Sequence, residues 1–262
     1  MMGGALEPET CSLAAKVEDE HWWFCGRRAI LRSVLDRYAP AGRGTRTILE
    51  VGCGSGGNLP LLAAYGSVLA VELDDAARSR ASGRGVGRVE KGWLPDGLPF
   101  GTERFPLVAA LDVLEHVEDD REALRALRGR LTPTGVLIVT VPAYRWLWGR
   151  HDEASHHRRR YTRRGLGSVL TEVGFQVLYA TYFNAVLFPV AAAYVKLGGF
   201  FRGAASLALS TPPGPVNQLL RAIFSVERLL IPRVSLPYGV SLLVCCRPGR
   251  ATVTSSGERE PG

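Results

Sequence analysis

Two groups of residues in this chain have the types and spacing that do chemistry. The first is the run Glu50-x-Gly52-x-Gly54-x-Gly56-Gly57. Its glycines permit a tight turn and let the backbone approach a ligand closely. An apolar stretch before them, 47–51, reads as a buried strand, and 58–65 reads as the helix leaving the turn. A strand, a glycine turn and a helix N-terminus together aim unpaired N–H groups at a ligand. Gly52, Gly54 and Gly57 also satisfy the G-x-G-x-x-G dinucleotide spacing, so the glycines alone leave two ligands open. Glu50 discriminates between them. A dinucleotide strand stays apolar at that position, whereas a carboxylate two residues before the first glycine suits a cationic ligand. Glu72 closes a second apolar strand about 20 residues further on, where an acidic side chain accepts hydrogen bonds from ribose hydroxyls. Asp112 ends a fourth strand. His116 follows one helical turn later, placed to take a proton from an acceptor hydroxyl.

The second group fills the loop 142–164, with Tyr144, Trp146, Trp148, His151, Asp152, His156, His157, Arg158, Arg159, Arg160 and Tyr161. The loop leaves the carboxyl end of the fifth strand, the edge where ligands lie in α/β sheets. Three chemistries are open to it. His151, Asp152, His156 and His157 are ordinary metal-ligand types. A solvated basic loop is the plain alternative. The third, which we favour, is acceptor binding: His151 or His157 as base or orienting group, with Arg159 and Arg160 forking a phosphate or carboxylate beside Tyr161. One basic loop without a long stripe of stacking aromatics does not suit nucleic acid.

These residues need a frame. Residues 20–38 read as a helix with apolar Ile30, Leu31, Val34, Leu35 and Tyr38 on one side and two adjacent tryptophans at its start. Strands are expected at 47–51, 68–72, 86–91, 107–111, 136–141, 175–182 and 240–245, with helices at 119–130 and 164–173. Asp74 and Asp75 begin the helix after the second strand, where negative charge is stabilised. This alternation implies a doubly wound, mostly parallel sheet. The length of 262 residues suffices for one such domain with embellishments. The divisions expected are a helical lid over 1–40, a core over 41–182, a helical cap over 183–237, the last strand of the core within 238–248, and a disordered tail over 249–262. A net charge of +7 permits an anionic partner without requiring one. Five cysteines without a C-x-x-C pair suggest neither a zinc site nor a disulfide framework, and place the chain in a reducing cytoplasm. The acidic, polar start is not a signal peptide, and no uncharged apolar run approaches the ~20 residues of a spanning helix.

The run Glu50 to Gly56 resembles motif I of the class I S-adenosylmethionine (SAM) methyltransferases. Together with His21-Trp-Trp-Phe24 and Arg27-Arg28, Leu111-Asp-Val-Leu-Glu-His116, Val141-Pro-Ala-Tyr144, His151-Asp152 and His157-x-Arg159-Arg160-Tyr161, it makes the chain similar to a bacterial group of that family from His21 to about Arg247. The resemblance implies a Rossmann-like sheet of seven strands with the last antiparallel. It also implies SAM as cofactor, held by Glu50, Gly52, Gly54, Gly56, Glu72 and Asp112. The Asp that often reads adenine after strand three is Trp93 here, leaving Asp96 as a substitute. No metal is called for. The expected activity is methyl transfer to a small acceptor, anionic or linked to a lipid or sugar. Peripheral contact with the inner membrane surface is allowed for through the apolar stretch 183–237. The alternatives are an NAD-dependent oxidoreductase and a catalytically inactive SAM-binding protein.

Overall fold

A computed structural model describes residues 18–40, 46–197 and 211–249. The expected tail, apart from Gly249, and the middle of the expected cap lie outside them. Seven strands form one sheet: β1 (Thr47–Val51), β2 (Ser67–Glu72), β3 (Arg88–Lys91), β4 (Phe105–Leu111), β5 (Leu131–Pro142), β6 (Phe175–Phe183) and β7 (Ser241–Pro248). Their order is β3-β2-β1-β4-β5-β7-β6. Six strands run in one direction, and β7 alone runs antiparallel, between β5 and β6. The chain reverses its direction of travel across the sheet between β1 and β4, the crevice where doubly wound folds hold ligands.

The helices are α1 (Trp22–Tyr38), α2 (Leu59–Ala63), α3 (Asp75–Gly83), α4 (Asp120–Gly129), α5 (Arg150–Ala154), α6 (Arg163–Glu172), α7 (Phe188–Leu197) and α8 (Gly214–Val226). Asp74 caps α3 by accepting from the Ala77 N–H at 2.7 Å, and Asp119 caps α4 in the same way. Side chains alternate across each strand. Leu49, Val51, Val108, Val139 and Val244 therefore face α4 and α6, through Leu124, Leu127, Leu166 and Leu170. Ile48, Leu107, Ile138 and Leu243 face α1, through Ile30, Leu31 and Val34.

Residues 1–17 of the expected lid lie outside the described residues, and its helix α1 packs as a layer of the core. Its two tryptophans hold α8: Trp23 stacks on Phe224 with centroids 5.2 Å apart, and Trp22 meets the same ring edge-on at 5.9 Å. Gly26 makes the close approach possible, since a Cβ there would lie 2.4 Å from the Phe224 ring. Glu227, just past α8, is buried and accepts the N–H groups of Asn184, Ala185 and Val186 as the chain leaves β6. The 183–237 insertion is therefore tied to the core at both ends. Phe224 is fully buried, so Phe224→Ala is expected to cost about 3–5 kcal/mol in urea unfolding. A loss below ~1 kcal/mol would mean that α8 is not seated on α1.

Candidate active site

The carboxyl edge of the sheet gathers polar groups in three adjoining places. At the first, strand alternation turns Glu50 toward α1, where it is fully buried. One carboxylate oxygen accepts from the Asn58 side-chain amide at 3.3 Å, and the other has no partner. Burial, outweighing the Asn58 hydrogen bond, pushes its pKa up to about 8. Gly54 sits at φ +55, and a Cβ there would point into open space, so the space beside the turn is free for a ligand. Glu72 braces the turn: its two oxygens accept from the N–H groups of Gly54 at 2.8 Å and Asp74 at 2.9 Å. Each oxygen keeps a lone pair for a further donor. Glu18 closes the other side of the turn, accepting from the Ser55 hydroxyl and pairing with Arg84 at 3.4 Å.

At the second place Asp112, at φ +59, pairs with Arg27 at 3.0 Å and accepts from the Thr140 hydroxyl at 2.9 Å. Arg27 also donates to that hydroxyl at 2.8 Å. Thr140 lies between Val139 and Val141, which face the other helices, so the alternation that places Glu50 on the α1 face places Thr140 there too. Asp112 does not cap a helix.

The third place is built on Asp152, fully buried at the start of the loop's short helix. Its carboxylate meets His157 Nδ1 at 2.8 Å, Arg160 Nε at 2.7 Å and Nη2 at 2.9 Å, and the Gly149 N–H at 2.9 Å. Burial works against the charge, but the His157 and Arg160 hydrogen bonds hold the carboxyl below its ordinary range. His116 lies against His157 with ring centroids 4.8 Å apart, and His151 lies 5.8 Å from His157 on the exposed side. Burial and the neighbouring His157 lower the His116 pKa to about 4, so that imidazole is neutral near pH 7. Beside them Tyr144, at φ +54, stacks on Tyr182 and Trp146, and Phe188 packs edge-on against Tyr144.

The predicted residues divide accordingly. Glu50, Gly52, Gly54, Gly56, Glu72 and Asp112 meet at the switch point, and His116, His151 and His157 form a second group beyond them. Asp96 stands apart, in the loop between Trp93 and Gly97 that follows β3. The fork expected for an anionic acceptor is closed. Arg160 is taken up by Asp152 and the Ala143 carbonyl, and Arg159 by Asp120 and the Val117 and Glu118 carbonyls. Tyr161 is buried, with its hydroxyl 3.0 Å from Asp120. These three residues position the loop. His156, at φ +52, is exposed and takes no part in the histidine group. Sequence reasoning passed over Arg27, Thr140, Asn58 and Glu18. Arg27 alone had a signal, in the H-W-W-F-x-x-R-R echo.

A seven-stranded sheet with an antiparallel last strand and a glycine turn at its switch point defines a Rossmann-like methyltransferase fold. Residues 25–180 match the model of the Methyltransferase domain family, and the chain belongs to that family. Membership of a methyltransferase family sets aside the dinucleotide reading of its glycines. Three curated relatives are each 35% identical over about 100 residues. They are a tRNA U34 carboxymethyltransferase of Photorhabdus laumondii (36% of this chain, 31% of that protein), a methyltransferase of unknown role from Mycobacterium tuberculosis (41% and 55%) and a ubiquinone biosynthesis O-methyltransferase of Azorhizobium caulinodans (36% and 39%). The chain thus spans about a third to a half of the length of these relatives. The first is named for a tRNA substrate, so the comparisons do not favour the expectation of no nucleic acid. Among solved structures, a chain from the complex of the Haloferax volcanii Trm112 methyltransferase activator with a methyltransferase aligns with TM-score 0.61 and 17% identity. The alignment covers 94% of this chain and 98% of that one. A SAM-dependent methyltransferase of Thermotoga maritima aligns with TM-score 0.53 and 20% identity over 91% and 99%. Another neighbour is the [4+2]-cyclase SpnF, with TM-score 0.54 and 18% identity over 86% of this chain and 81% of that one, so this fold hosts other reactions.

The raised pKa of Glu50 has a signed consequence for the ligand-free protein. Its neutral form is the stable one in the fold, so its contribution is complete below the ordinary value of 4.5 and is lost as pH rises through about 8. At ~1.4 kcal/mol per pKa unit this amounts to several kcal/mol. Thermal melts from pH 5 to 9 should show the native protein losing ground to Glu50→Gln as pH rises. Parallel curves would place Glu50 in contact with solvent.

Proposed function

We propose that this methyltransferase acts on a small amphipathic acceptor. Its reacting group would sit at the His116–His157 pair and its apolar part along the aromatic wall of Tyr144, Trp146, Tyr182, Phe188 and Tyr238. The wall carries the reading. It joins the end of β5 to the start of α7, ring against ring at 4.9–5.9 Å, and both Trp146 and Tyr238 remain about half exposed. An exposed aromatic surface beside a polar cluster suits an acceptor with a greasy tail, such as a lipid-linked one. A nucleic-acid acceptor is less well served, because Arg159 and Arg160 are already paired internally.

Glu50, the open face of Gly54, Glu72 and Asp112 are the residues we assign to SAM. The unpartnered Glu50 oxygen and the room beside Gly54 fit a cationic ligand there. SAM supplies a methyl group already activated on a sulfonium. The protein's own work is therefore to hold donor and acceptor in line and to relieve the acceptor of its proton. His157, oriented by Asp152, is placed for that, with neutral His116 beside it and His151 toward the entrance. No helix among the described residues is long and apolar enough to cross a membrane. The outward face of α8 exposes Val216, Leu219 and Val226 next to Arg221, and a peripheral contact there would bring the wall close to a lipid surface.

Two measurements test this. By calorimetry, Gly54→Val should abolish SAM binding and Glu72→Ala should weaken it about tenfold or more, the equivalent of ~1.4 kcal/mol. Normal binding by Gly54→Val would remove the glycine turn from the site. With acceptors of increasing alkyl length, KM should fall along the series for the native enzyme and stay flat for Trp146→Ala. A length-independent KM in the native enzyme would rule out the wall, and SAM binding without methylation of any acceptor would mark an inactive binder.

A further inference from the structure

Glu115 is the least accounted-for group at this edge. It is fully buried, and among the described residues neither carboxylate oxygen has a hydrogen-bond partner. A buried carboxylate left without partners is costly, and in folded proteins it is ordinarily paired, protonated or bound to a metal. Its charged neighbours do not take it up. Arg27 is paired with Asp112 and Thr140, and Arg160 is closed on Asp152. What does face it is imidazole. Glu115, His116 and His157 each bring one potential ligand atom to within 4.8 Å of the others.

We propose that Glu115, His116 and His157 form a binding site for one divalent first-row transition ion. Two imidazoles and one carboxylate are a donor set that such ions favour over magnesium or calcium. His157 is prepared for the role. Its Nδ1 is held by the Asp152 carboxylate at 2.8 Å, which leaves Nε2 free and fixes the ring, as carboxylate partners of metal-bound histidines do. The spread of 4.8 Å is wider than the ~3–3.5 Å between neighbouring ligands of a bound ion. A small shift of the His116 ring, which no hydrogen bond among the described residues fixes, would narrow it, while Asp152 keeps the His157 ring in place. Three protein donors leave the fourth position of a four-coordinate ion for an outside ligand. This donor set differs from the one suggested by the loop sequence. Asp152 is spent on Arg160 and His157, and His156 points away.

The use of the ion rests on the reading of this edge as the acceptor side. An acceptor hydroxyl coordinated to the ion would lose its proton to solvent more readily, and the imidazoles would serve as ligands in place of a proton acceptor. Binding of the ion itself does not depend on that reading.

The test uses tag-free, chelator-stripped full-length protein, titrated with cobalt(II) by visible absorption and with zinc(II) by calorimetry. One equivalent should bind with a dissociation constant in the micromolar range or below. Glu115→Gln and His157→Asn should each weaken binding at least tenfold with the circular dichroism spectrum unchanged. His156→Ala should not alter it. If Glu115→Gln fails to fold, His116→Asn serves in its place. Absence of stoichiometric binding, or binding unchanged in these variants, overturns the site. Stripped protein that binds no ion yet binds SAM and methylates an acceptor at full rate would remove the metal and leave the methyltransferase reading standing. Stoichiometric ion binding without any methylation would do the reverse.

Discussion

Charge burial at one edge of the sheet is the constraint on which the rest of this structure depends. Glu50 near the end of β1, Glu115 in the turn after β4 and Asp152 in the short helix after β5 are fully buried, and Asp112 stands among them. A carboxylate taken out of water needs a partner, a proton or a cation, since an unpaired buried charge costs several kcal/mol. The distant segments that converge there answer that need. Arg27 comes from α1, Thr140 from β5, and Arg160 and His157 from the loop beyond β5. Each ties a separate piece of chain to the same edge.

The compensation is uneven, and the unevenness divides the edge by role. Asp152 is fully satisfied, with two guanidinium nitrogens, an imidazole and a backbone N–H, and it fixes the loop as a rigid unit. Asp112 is satisfied by Arg27 and Thr140. Glu50 is half satisfied and Glu115 not at all. Among the described residues these are the buried carboxylates with unpartnered oxygens, and in the readings proposed for this edge they are the groups open to a ligand. One lies beside the glycine turn and the other beside the histidine pair, on the two sides of the crevice where a donor and an acceptor would meet.

The parts shared with structural relatives and the parts to which we assign the acceptor are physically separate. The sheet and glycine turn belong to a scaffold that aligns at 17–20% identity over nearly the whole chain in two of those relatives, because burial on both faces constrains strands to apolar residues and little else. The aromatic wall grows from the β5 loop and the start of the insertion after β6. Such loops are free to vary because the scaffold does not need them.

The antiparallel last strand was legible only through the family resemblance, while by itself the sequence determined the mostly parallel core of the sheet, the glycine turn, the carboxylates at the strand ends and the helix starts near Asp74 and Asp119. These follow from periodicity, turn chemistry and strand-end position, which are local properties. Strand ends drifted by a few residues: β5 begins at Leu131, where the strand was expected from 136. The role of Arg159 and Arg160 was not legible, because a guanidinium looks the same whether its carboxylate belongs to a ligand or, as here, to Asp120 and Asp152. Nor was the packing of Trp22 and Trp23 onto Phe224, about 200 residues away, or the isolation of Glu115. Only tertiary structure decides such matters. Whether a charged side chain is satisfied depends on which distant groups reach it, and burial is a property of the assembled chain.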